Sequence, residues 1–312
     1  MGLCSQFPAK LAEVIKPMRS LRIFVTGATG FVGSHFSNYA ISRGHKVIGL
    51  RQSSESKPRI LVDERVEWVT KDCSLLEVKD FVGCDAVVHL AAIGVPPKVE
   101  EMSELFRFNS FLPEKIISKA HEAGVRRVIM AGSVSEYGVS GNKYKRIPTW
   151  APLMPVSFYA ASKTLGFYRS VRASRQLGIK LCYCRIASAY GPGQYQGNLW
   201  PSMMSAAQLG IDFHLTRGTQ IRDFVPIKAV AEMFLDGVYR SDLRPGIPKI
   251  ENLGTGNSTR VSDWILDLWR QLNPRSVVRV GSINQSIDDI DNLAPQVSPR
   301  IRRIAMRDFS GS

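Results

Sequence analysis

The chain has 312 residues, of which 44% are hydrophobic and 22% are charged, which is ordinary for a globular protein with a substantial core. Its net charge of +14 is large, but the lysines and arginines are spread along the sequence, so nucleic acid is an unfavoured partner and phosphorylated small ligands are favoured. No apolar run approaches the roughly 18 residues that cross a bilayer, which argues against a membrane span. The five cysteines contain no CxxC pair and the five histidines are scattered, so we expect a cytoplasmic protein with neither a disulfide framework nor a metal site.

A glycine-rich turn follows the first predicted strand. An apolar run over 21–25 predicts that strand, and TGATGFVG separates it from an amphipathic helix. Gly27 permits a tight turn, Gly30 lets the backbone touch a pyrophosphate, and Gly33 lets the helix pack closely on the strand. The pyrophosphate would bind N–H groups at the helix N-terminus, so the pattern predicts dinucleotide binding. The predicted contacts of this turn are Gly27, Thr29, Gly30, Phe31, Val32 and Gly33.

The end of the second predicted strand, 46–50, indicates which dinucleotide binds. An acidic residue at this position would accept hydrogen bonds from a ribose 2′-hydroxyl, whereas this chain has Arg51, followed by Gln52, Ser53 and Ser54. These side chains donate hydrogen bonds to a 2′-phosphate. The sequence therefore predicts NADP(H), with NAD(H) as the alternative, and Arg51 and Ser53 as contacts. Arg51 would also be ordinary as a solvated surface charge.

Four more strands and two long helices are predicted further along the chain. The strands cover 66–70, 86–90, 127–131 and 180–186, and the helices cover 103–123 and 157–177. This alternation predicts right-handed βαβ units and hence an α/β fold with a doubly wound parallel (Rossmann) sheet. Beyond this point the pattern is irregular, and short segments at 199–209, 213–215, 261–271 and 277–280 predict a smaller mixed α/β region.

Two side chains on the second long helix suggest acid–base chemistry. Tyr159 and Lys163 lie four residues apart and so project from one face. A phenol with a pKa of about 10 transfers protons poorly at neutral pH, but an adjacent ammonium group favours its phenolate form. Tyr159 could then exchange a proton with a carbinol oxygen while hydride moves to or from a nicotinamide. Ser133, after the fifth strand, would position the same oxygen.

The order of these motifs resembles that of an extended short-chain dehydrogenase/reductase of the NAD-dependent epimerase/dehydratase superfamily, from residue 21 to about residue 263. TGATGFVG resembles the TGxxGxxG turn of the family, HLAA its cofactor-lining strand end, GSVSEYG its serine segment and YAASK its catalytic Tyr–Lys pair. The resemblance makes Ser133, Tyr159 and Lys163 the catalytic residues. It also implies cofactor contacts at Asp72, Cys73, Leu90, Ala91, Ala92, Asn109, Tyr159, Lys163 and Ile186.

The resemblance extends to a nucleoside-diphosphate sugar as the substrate. RIASAYGPG, NLWP and RDFVPIKAVA resemble the substrate-binding segments of the family, with Arg222 at the position that holds the diphosphate. Leu199 and Trp200 would serve equally well as core residues at the start of a helix. The implied substrate contacts are Ser133, Ser135, Ser188, Asn198, Leu199, Trp200 and Arg222. Ser188 stands where the family often has asparagine.

The resemblance also predicts how the chain divides and assembles. Residues 1–20 would form an N-terminal extension. The NADP-binding Rossmann domain would comprise 21–186 with about 226–250, and the nucleotide-sugar-binding domain would comprise 187–225 with 251–312. A homodimer through the Asn109 and Tyr159 helices is expected, as in other family members.

The sequence favours one reaction among those of the family. The 4,6-dehydratases place an Asp–Glu pair where this chain has Val134 and Ser135, so a general acid for elimination is missing. An epimerase commonly retains NAD, whereas Arg51 favours NADP and hence net reduction. We therefore expect NADP-dependent reduction of the 4-keto group of a nucleoside-diphosphate (deoxy)sugar. A nucleotide-sugar 4-epimerase is the alternative, and a non-catalytic NADP- or RNA-binding scaffold is a weaker one.

Overall fold

Twelve strands and eight α-helices are present in the computed structural model, which describes residues 19–94, 101–284 and 289–307. The strands are β1 (Arg22–Thr26), β2 (Lys46–Arg51), β3 (Glu67–Thr70), β4 (Ala86–His89), β5 (Arg127–Ser133), β6 (Lys180–Ile186), β7 (Ser188–Tyr190), β8 (Phe213–Leu215), β9 (Ile221–Pro226), β10 (Lys249–Leu253), β11 (Ser258–Arg260) and β12 (Val278–Val280). The helices are α1 (Phe31–Ser42), α2 (Met102–Phe106), α3 (Leu112–Glu122), α4 (Phe158–Leu177), α5 (Leu199–Leu209), α6 (Ile227–Tyr239), α7 (Val261–Leu272) and α8 (Pro299–Ala305). The predicted extension, residues 1–20, lies almost entirely outside the described residues.

Seven strands form one parallel sheet in the order β10-β6-β5-β4-β1-β2-β3. The order reverses between β1 and β4, so the loops that leave these strands diverge and open a crevice at their carboxyl ends. Thr26 at the end of β1 is in register with His89 at the end of β4. The predicted α/β fold with a doubly wound parallel sheet is confirmed.

Both faces of this sheet are buried, because successive side chains of its strands point to opposite faces. In β1, Ile23 and Val25 belong to the core beneath α1 and α6, whereas Phe24 belongs to the core beneath α3 and α4. All three side chains are fully buried. The sheet is therefore sandwiched between two helical layers, and its strand ends are left to carry the site.

The long helix predicted over 103–123 is interrupted by one wide turn. α2 and α3 are joined by a π-helical turn, Arg107–Phe111. Pro113, near the start of α3, has no N–H to donate to the carbonyl of Asn109, which accounts for a widened turn at this point. That carbonyl lies against α4 at Gly166, where a Cβ atom would collide with it. The turn brings Asn109 close to α4.

A smaller unit follows the sheet. The strands β11-β9-β7 form one small sheet, and β12 pairs with β8. Met203 of α5 and Ile265 and Trp269 of α7 form its core. The predicted boundary near residue 250 falls within β10, and α8 packs against α6 in the main core. In the described part of the chain, no helix is long and apolar enough to span a membrane.

Candidate active site

The glycine-rich turn forms a tight cradle at the carboxyl end of β1. Gly27 has φ of 70°, and a Cβ atom there would lie 2.7 Å from the backbone nitrogen of Ala91. A Cβ atom on Gly33 would collide with the carbonyl oxygen of Gly27. α1 starts at Phe31, directly after Gly30, so its first N–H groups point out of the turn. A turn with this shape fits a pyrophosphate, as the sequence predicts.

Three adjoining cavities run along the carboxyl ends of the strands. The first, of about 680 Å³, lies beside β2 and β3. The second, the central cavity of about 450 Å³, shares Gly27 and Ile93 with the first. The third, the outer cavity of about 630 Å³, shares Gln194 and Asn198 with the central cavity. Because each cavity shares lining residues with the next, the three form a row, here called the track, from the sheet to the smaller unit.

Most of the predicted site residues line this track. The first cavity includes Gly27, Thr29, Asp72, Cys73 and Ala91. The central cavity includes Gly27, Gly30, Phe31, Val32, Gly33, Leu90, Ala92, Tyr159, Lys163, Ile186 and Asn198. The outer cavity includes Ser188, Asn198, Leu199, Trp200 and Arg222. Residues far apart in the sequence are thus brought together in the order that a dinucleotide followed by a second ligand would require.

Tyr159 and Lys163 project from α4 into the central cavity. The Lys163 ammonium donates a hydrogen bond of 2.7 Å to the carbonyl oxygen of Ala131, and burial lowers its pKa. Burial, with a contribution from the charge of Glu136, raises the pKa of Tyr159. The sequence-based expectation that Lys163, helped by the charge of the nicotinamide, favours the phenolate of Tyr159 concerns the complex with cofactor and stays a prediction.

Ser133 ends β5 beside Gly132, which lines the central cavity. Its hydroxyl lies 2.7 Å from the hydroxyl of Ser135 and accepts a hydrogen bond of 3.2 Å from the Ser135 backbone N–H. Its own backbone N–H donates to Glu136 over 2.8 Å. These contacts fix both serines at the strand end, although neither is among the residues that line the three cavities.

Three other predicted contacts are engaged within the protein. The Nε of Arg51 donates to Thr70 over 2.8 Å, and its guanidinium lies over the Trp68 ring. The Ser53 hydroxyl lies 3.2 Å from that of Ser56. The Asn109 amide binds the backbone N–H and carbonyl of Ile93 and the Ser162 hydroxyl at 2.9 to 3.0 Å. Asn109 thus positions the segment after β4 instead of lining a cavity.

Several residues of the track were not anticipated from the sequence. Lys71, Arg107 and Lys115 line the first cavity beside Gln52, which the sequence had marked for the 2′-phosphate, and the Lys71 ammonium pairs with Asp80 at 2.9 Å. Arg59, Gln194 and Tyr195 line the central cavity. All but Lys115 and Arg107 lie in loops or directly after a strand, where no periodic pattern places a side chain. The hydrogen bond from Arg59 N–H to Thr29 O, of 3.0 Å, is the contact that folds one such loop over the glycine turn.

The outer cavity combines aromatic walls with a partly buried arginine. Phe224 stacks face to face on Trp264 with ring centroids 3.7 Å apart. Arg222 donates to the carbonyl of Ile221 and forms an ion pair of 3.5 Å with Asp289. Burial lowers the pKa of Arg222. α5 begins beside this arginine and directs its N-terminus to the same cavity, which suits an anionic ligand.

The two ends of the track therefore both suit phosphate groups, and a Tyr–Lys pair lies between them. Among the described residues, no group of three His, Cys, Asp or Glu side chains is placed to hold a metal ion. A family model, that of the NAD dependent epimerase/dehydratase family, matches residues 23–239.

The chain belongs to this family.

Curated members of this family resemble the chain over most of its length. A dTDP-4-dehydro-6-deoxy-D-allose reductase from a Streptomyces species is 28% identical over 232 residues, which cover 66% of this chain and 68% of that protein. A UDP-glucose 4-epimerase from Streptococcus mutans is 25% identical over 281 residues, which cover 82% of this chain and 83% of the epimerase.

Solved structures of the epimerase/dehydratase family share the fold. A UDP-N-acetylglucosamine 4-epimerase from Methanobrevibacter ruminantium M1, in complex with UDP-N-acetylmuramic acid, superposes with a TM-score of 0.82. It is 23% identical and the match covers 93% of both chains. The predicted membership of the extended short-chain dehydrogenase/reductase type is confirmed, and the protein is an NAD(P)-dependent enzyme of the oxidoreductase and epimerase class.

Proposed function

We propose that the protein reduces the 4-keto group of a nucleoside-diphosphate (deoxy)sugar with NADPH. The observation that carries the proposal is the track from the glycine turn, past Tyr159 and Lys163, to Arg222. A dinucleotide and a diphosphate sugar placed end to end would meet beside the Tyr–Lys pair. The 28% identical relative named as a 4-keto-sugar reductase supports this assignment.

The roles of the catalytic residues follow from their chemistry. Bound NADPH would supply hydride to the carbonyl carbon. Tyr159 donates a proton to the developing alkoxide, and the raised pKa of its phenol keeps it in the protonated form that this step needs. Lys163 holds positive charge beside it and would bind ribose hydroxyls. Ser133 orients the carbonyl oxygen, at the strand end where its hydroxyl is fixed.

The proposed ligand contacts extend this assignment. We infer that Arg51, Gln52 and Ser53 hold the 2′-phosphate, since Arg51 ends β2 and is followed directly by Gln52, which lines the first cavity, and by Ser53. NADP(H) is therefore proposed in preference to NAD(H). Arg222 and the N-terminus of α5 would bind the substrate diphosphate. The remaining substrate contacts that we propose are Ser135, Ser188, Asn198, Leu199 and Trp200.

We also propose that two copies of the chain associate through the helical layer that carries the catalytic helix. Phe111, Leu165 and Tyr168 expose large apolar surface on this layer. A contact between copies would cover them, and sedimentation of the purified protein tests the dimer.

The four described cysteines are unpaired, which suits the reducing cytoplasm that the sequence predicts.

The segment that follows β5 argues against a dehydratase. The carboxylate in this segment belongs to Glu136, which is fully buried and paired with Arg185. It is therefore not placed to protonate a leaving hydroxyl in the cavity. A 4-epimerase is the second candidate, because the relative from Streptococcus mutans covers more of the chain than the reductase does. An epimerase would retain its cofactor and need no external reductant.

Consumption of NADPH with a panel of 4-keto nucleotide sugars separates these functions. We expect oxidation of NADPH in proportion to reduced sugar, with NADH used less efficiently. Tyr159→Phe should lower kcat by roughly 10²- to 10⁴-fold while the affinity for NADPH is kept, because only the proton donor is lost. Interconversion of 4-hydroxy sugars without added cofactor would establish the epimerase instead, and no turnover of either kind would refute both.

A further inference from the structure

Glu136 is a carboxylate buried directly behind the catalytic serine. It lies in the 3₁₀ turn Val134–Tyr137 that follows β5, and its side chain is 0% exposed. One carboxylate oxygen accepts hydrogen bonds from the Ser133 backbone N–H over 2.8 Å and from the Tyr183 hydroxyl over 2.9 Å. The other accepts from Arg185 over 2.8 Å. Each oxygen of the buried group is therefore satisfied.

The partner of this carboxylate is itself buried among aromatic rings. The Arg185 side chain is 1% exposed, and its guanidinium lies over the rings of Tyr137 and Phe167 at 4.8 Å and 4.5 Å from their centroids. Phe167 belongs to α4, one turn after Lys163. The ion pair thus joins the end of β5 to β6 and to the helix that carries the catalytic pair.

A second connection reaches the same helix through Tyr183. Its hydroxyl, which donates to Glu136, is also 3.4 Å from the backbone carbonyl of Lys163. There is no room for a larger residue in the strand at this point, since a Cβ atom on Gly132 would lie 2.7 Å from Glu136 and collide with the Tyr183 ring. The packing leaves the carboxylate one position.

We propose that Glu136 is a positioning residue of the proposed reduction, which fixes Ser133 relative to the Tyr159 helix and places a fixed negative charge behind the Tyr159–Lys163 pair. The inference rests on the proposed function. It explains why a carboxylate is buried here, where an apolar side chain would cost less desolvation free energy. It is consistent with the electrostatics, because the Glu136 charge raises the pKa of Tyr159 and opposes the lowering of the Lys163 pKa by burial.

Glu136→Gln is the variant that tests this role. Glutamine has nearly the same volume as glutamate and keeps an acceptor for the Ser133 N–H, but it is uncharged and turns an amide N–H group towards Arg185. The variant therefore removes the charge and the bond to Arg185 without changing the side-chain volume. We expect kcat to fall by about 10- to 100-fold, as for a small misplacement of a catalytic group, with KM for the sugar substrate unchanged. The alkaline limb of the kcat profile should move to lower pH, because loss of the negative charge lowers the pKa of the proton donor.

The chain offers a matched control in a second buried ion pair. Glu251 pairs with Arg240 at 2.8 Å, with both side chains 6% exposed, on β10 at the sheet edge. Glu251→Gln should lower the melting temperature without moving kcat or the pH profile. If Glu136→Gln does not fold, Tyr183→Phe tests the same carboxylate without unpairing a charge, and we expect a smaller loss of kcat. Wild-type kcat and pH profile in the folded Glu136 variant, or wild-type kcat in Tyr183→Phe, would overturn the proposal.

A measurement without sugar substrate keeps this test separate from the test of the proposed function. Ionisation of Tyr159 in the NADP⁺ complex is followed by tyrosinate absorbance, as the difference between each protein and its Tyr159→Phe counterpart. The midpoint should lie at lower pH in Glu136→Gln than in the wild type. An unchanged midpoint would contradict the inference even if the wild type reduced none of the sugars in the panel, whereas that inactivity alone would refute only the proposed function.

Discussion

At the scale of single residues, Tyr159 is the proton donor of the proposed reduction, and its surroundings set its protonation state in the protein alone. Tyr159 lines the central cavity, and partial burial together with the Glu136 charge raises the pKa of its phenol. Reduction needs the protonated phenol as a donor, whereas the oxidation that begins epimerisation needs the phenolate as a base. In the protein alone the phenol is therefore held in the protonated form that the proposed reduction needs.

The pH dependence of reduction follows from this protonation state. The active, protonated form is lost only as the pH rises through the pKa of Tyr159, which lies above the ordinary value of about 10. We expect kcat for sugar reduction to stay flat through neutral pH and to decline only under strongly alkaline conditions. A decline centred near neutral pH in initial-rate measurements would show that another group donates the proton.

His89 makes the folded protein sensitive to acid. Burial lowers its pKa to about 3, and its Nδ1 lies 2.7 Å from the Thr26 hydroxyl. Below the ordinary pKa of about 6.5, His89 is protonated in the unfolded chain but stays neutral in the folded chain. The free energy of unfolding therefore decreases by about 1.4 kcal/mol for each unit that the pH is lowered between roughly pH 6.5 and 3. Urea unfolding at a series of pH values measures this slope. His89→Gln should reduce it and His121→Gln, at a partly exposed site, should not; equal slopes in all three proteins would refute the assignment.

Arg222 is predicted to bind substrate without taking part in the chemistry. A charge-assisted hydrogen bond is worth about 1.5–3 kcal/mol, so Arg222→Gln should raise KM for the nucleotide sugar by roughly 10- to 150-fold with kcat little changed. Arg279→Gln is the control, because Arg279 is exposed and pairs with Asp212 at 2.6 Å outside the cavity. Steady-state kinetics with the nucleotide sugar measure KM and kcat for both variants. Equal KM values in the two variants would place the diphosphate elsewhere.

At the scale of elements, the glycine turn is the part of the site whose geometry leaves least freedom. Gly27 and Gly44 both have positive φ, at 70° and 84°, but only Gly27 has backbone atoms within reach of an added Cβ. Gly44→Ala should therefore cost only the strain of its conformation, about 1–2 kcal/mol. Gly27→Ala should also abolish NADPH binding, measured by cofactor fluorescence at a temperature where both variants are folded. A wild-type affinity of folded Gly27→Ala for NADPH would show that the glycine turn does not hold the cofactor.

The elements that the sequence predicted well are those with a periodic or capped pattern. The strand over 180–186 and the helix over 199–209 match β6 and α5, and Ser157 caps α4 as the predicted start of that helix. α6 was not predicted, although Lys228, Glu232 and Asp236 recur every four residues in Ile227–Tyr239 and mark a narrow polar face on an otherwise mostly buried helix. The π turn was not predicted, although Pro113, which lacks the N–H that would bind the Asn109 carbonyl, is visible in the sequence.

At the scale of the whole molecule, the sequence predicted the fold and the order of the motifs but not every contact of the site. Gly27, Tyr159 and Lys163 were proposed because each lies in a motif with a chemical reason for its spacing, whereas Arg222 was proposed from the resemblance to the family. Their meeting in one track depends on the parallel sheet, whose strand ends share one edge. Long-range neighbours such as Arg59 and Lys115 become visible only once that sheet is formed.

Charge at the strand end shows the same dependence on tertiary structure. The sequence marked the absence of a carboxylic acid at Val134 and Ser135, but it did not show that Glu136 would turn inward to Arg185, 49 residues further along the chain. Arg51 was predicted from its position, and the structure adds its bond to Thr70 and its contact with Trp68. Such partners are set by packing, which a motif does not encode.

Transfer of deuterium from the nicotinamide C4 of labelled NADPH to the sugar tests the central claim most directly. With a 4-keto nucleotide sugar as substrate, we predict one deuterium at C4 of the product for each NADPH consumed, and none with Tyr159→Phe over the same time. Product that carries no label while the enzyme turns over, or label at another carbon, would contradict reduction at a track that joins the glycine turn to Arg222.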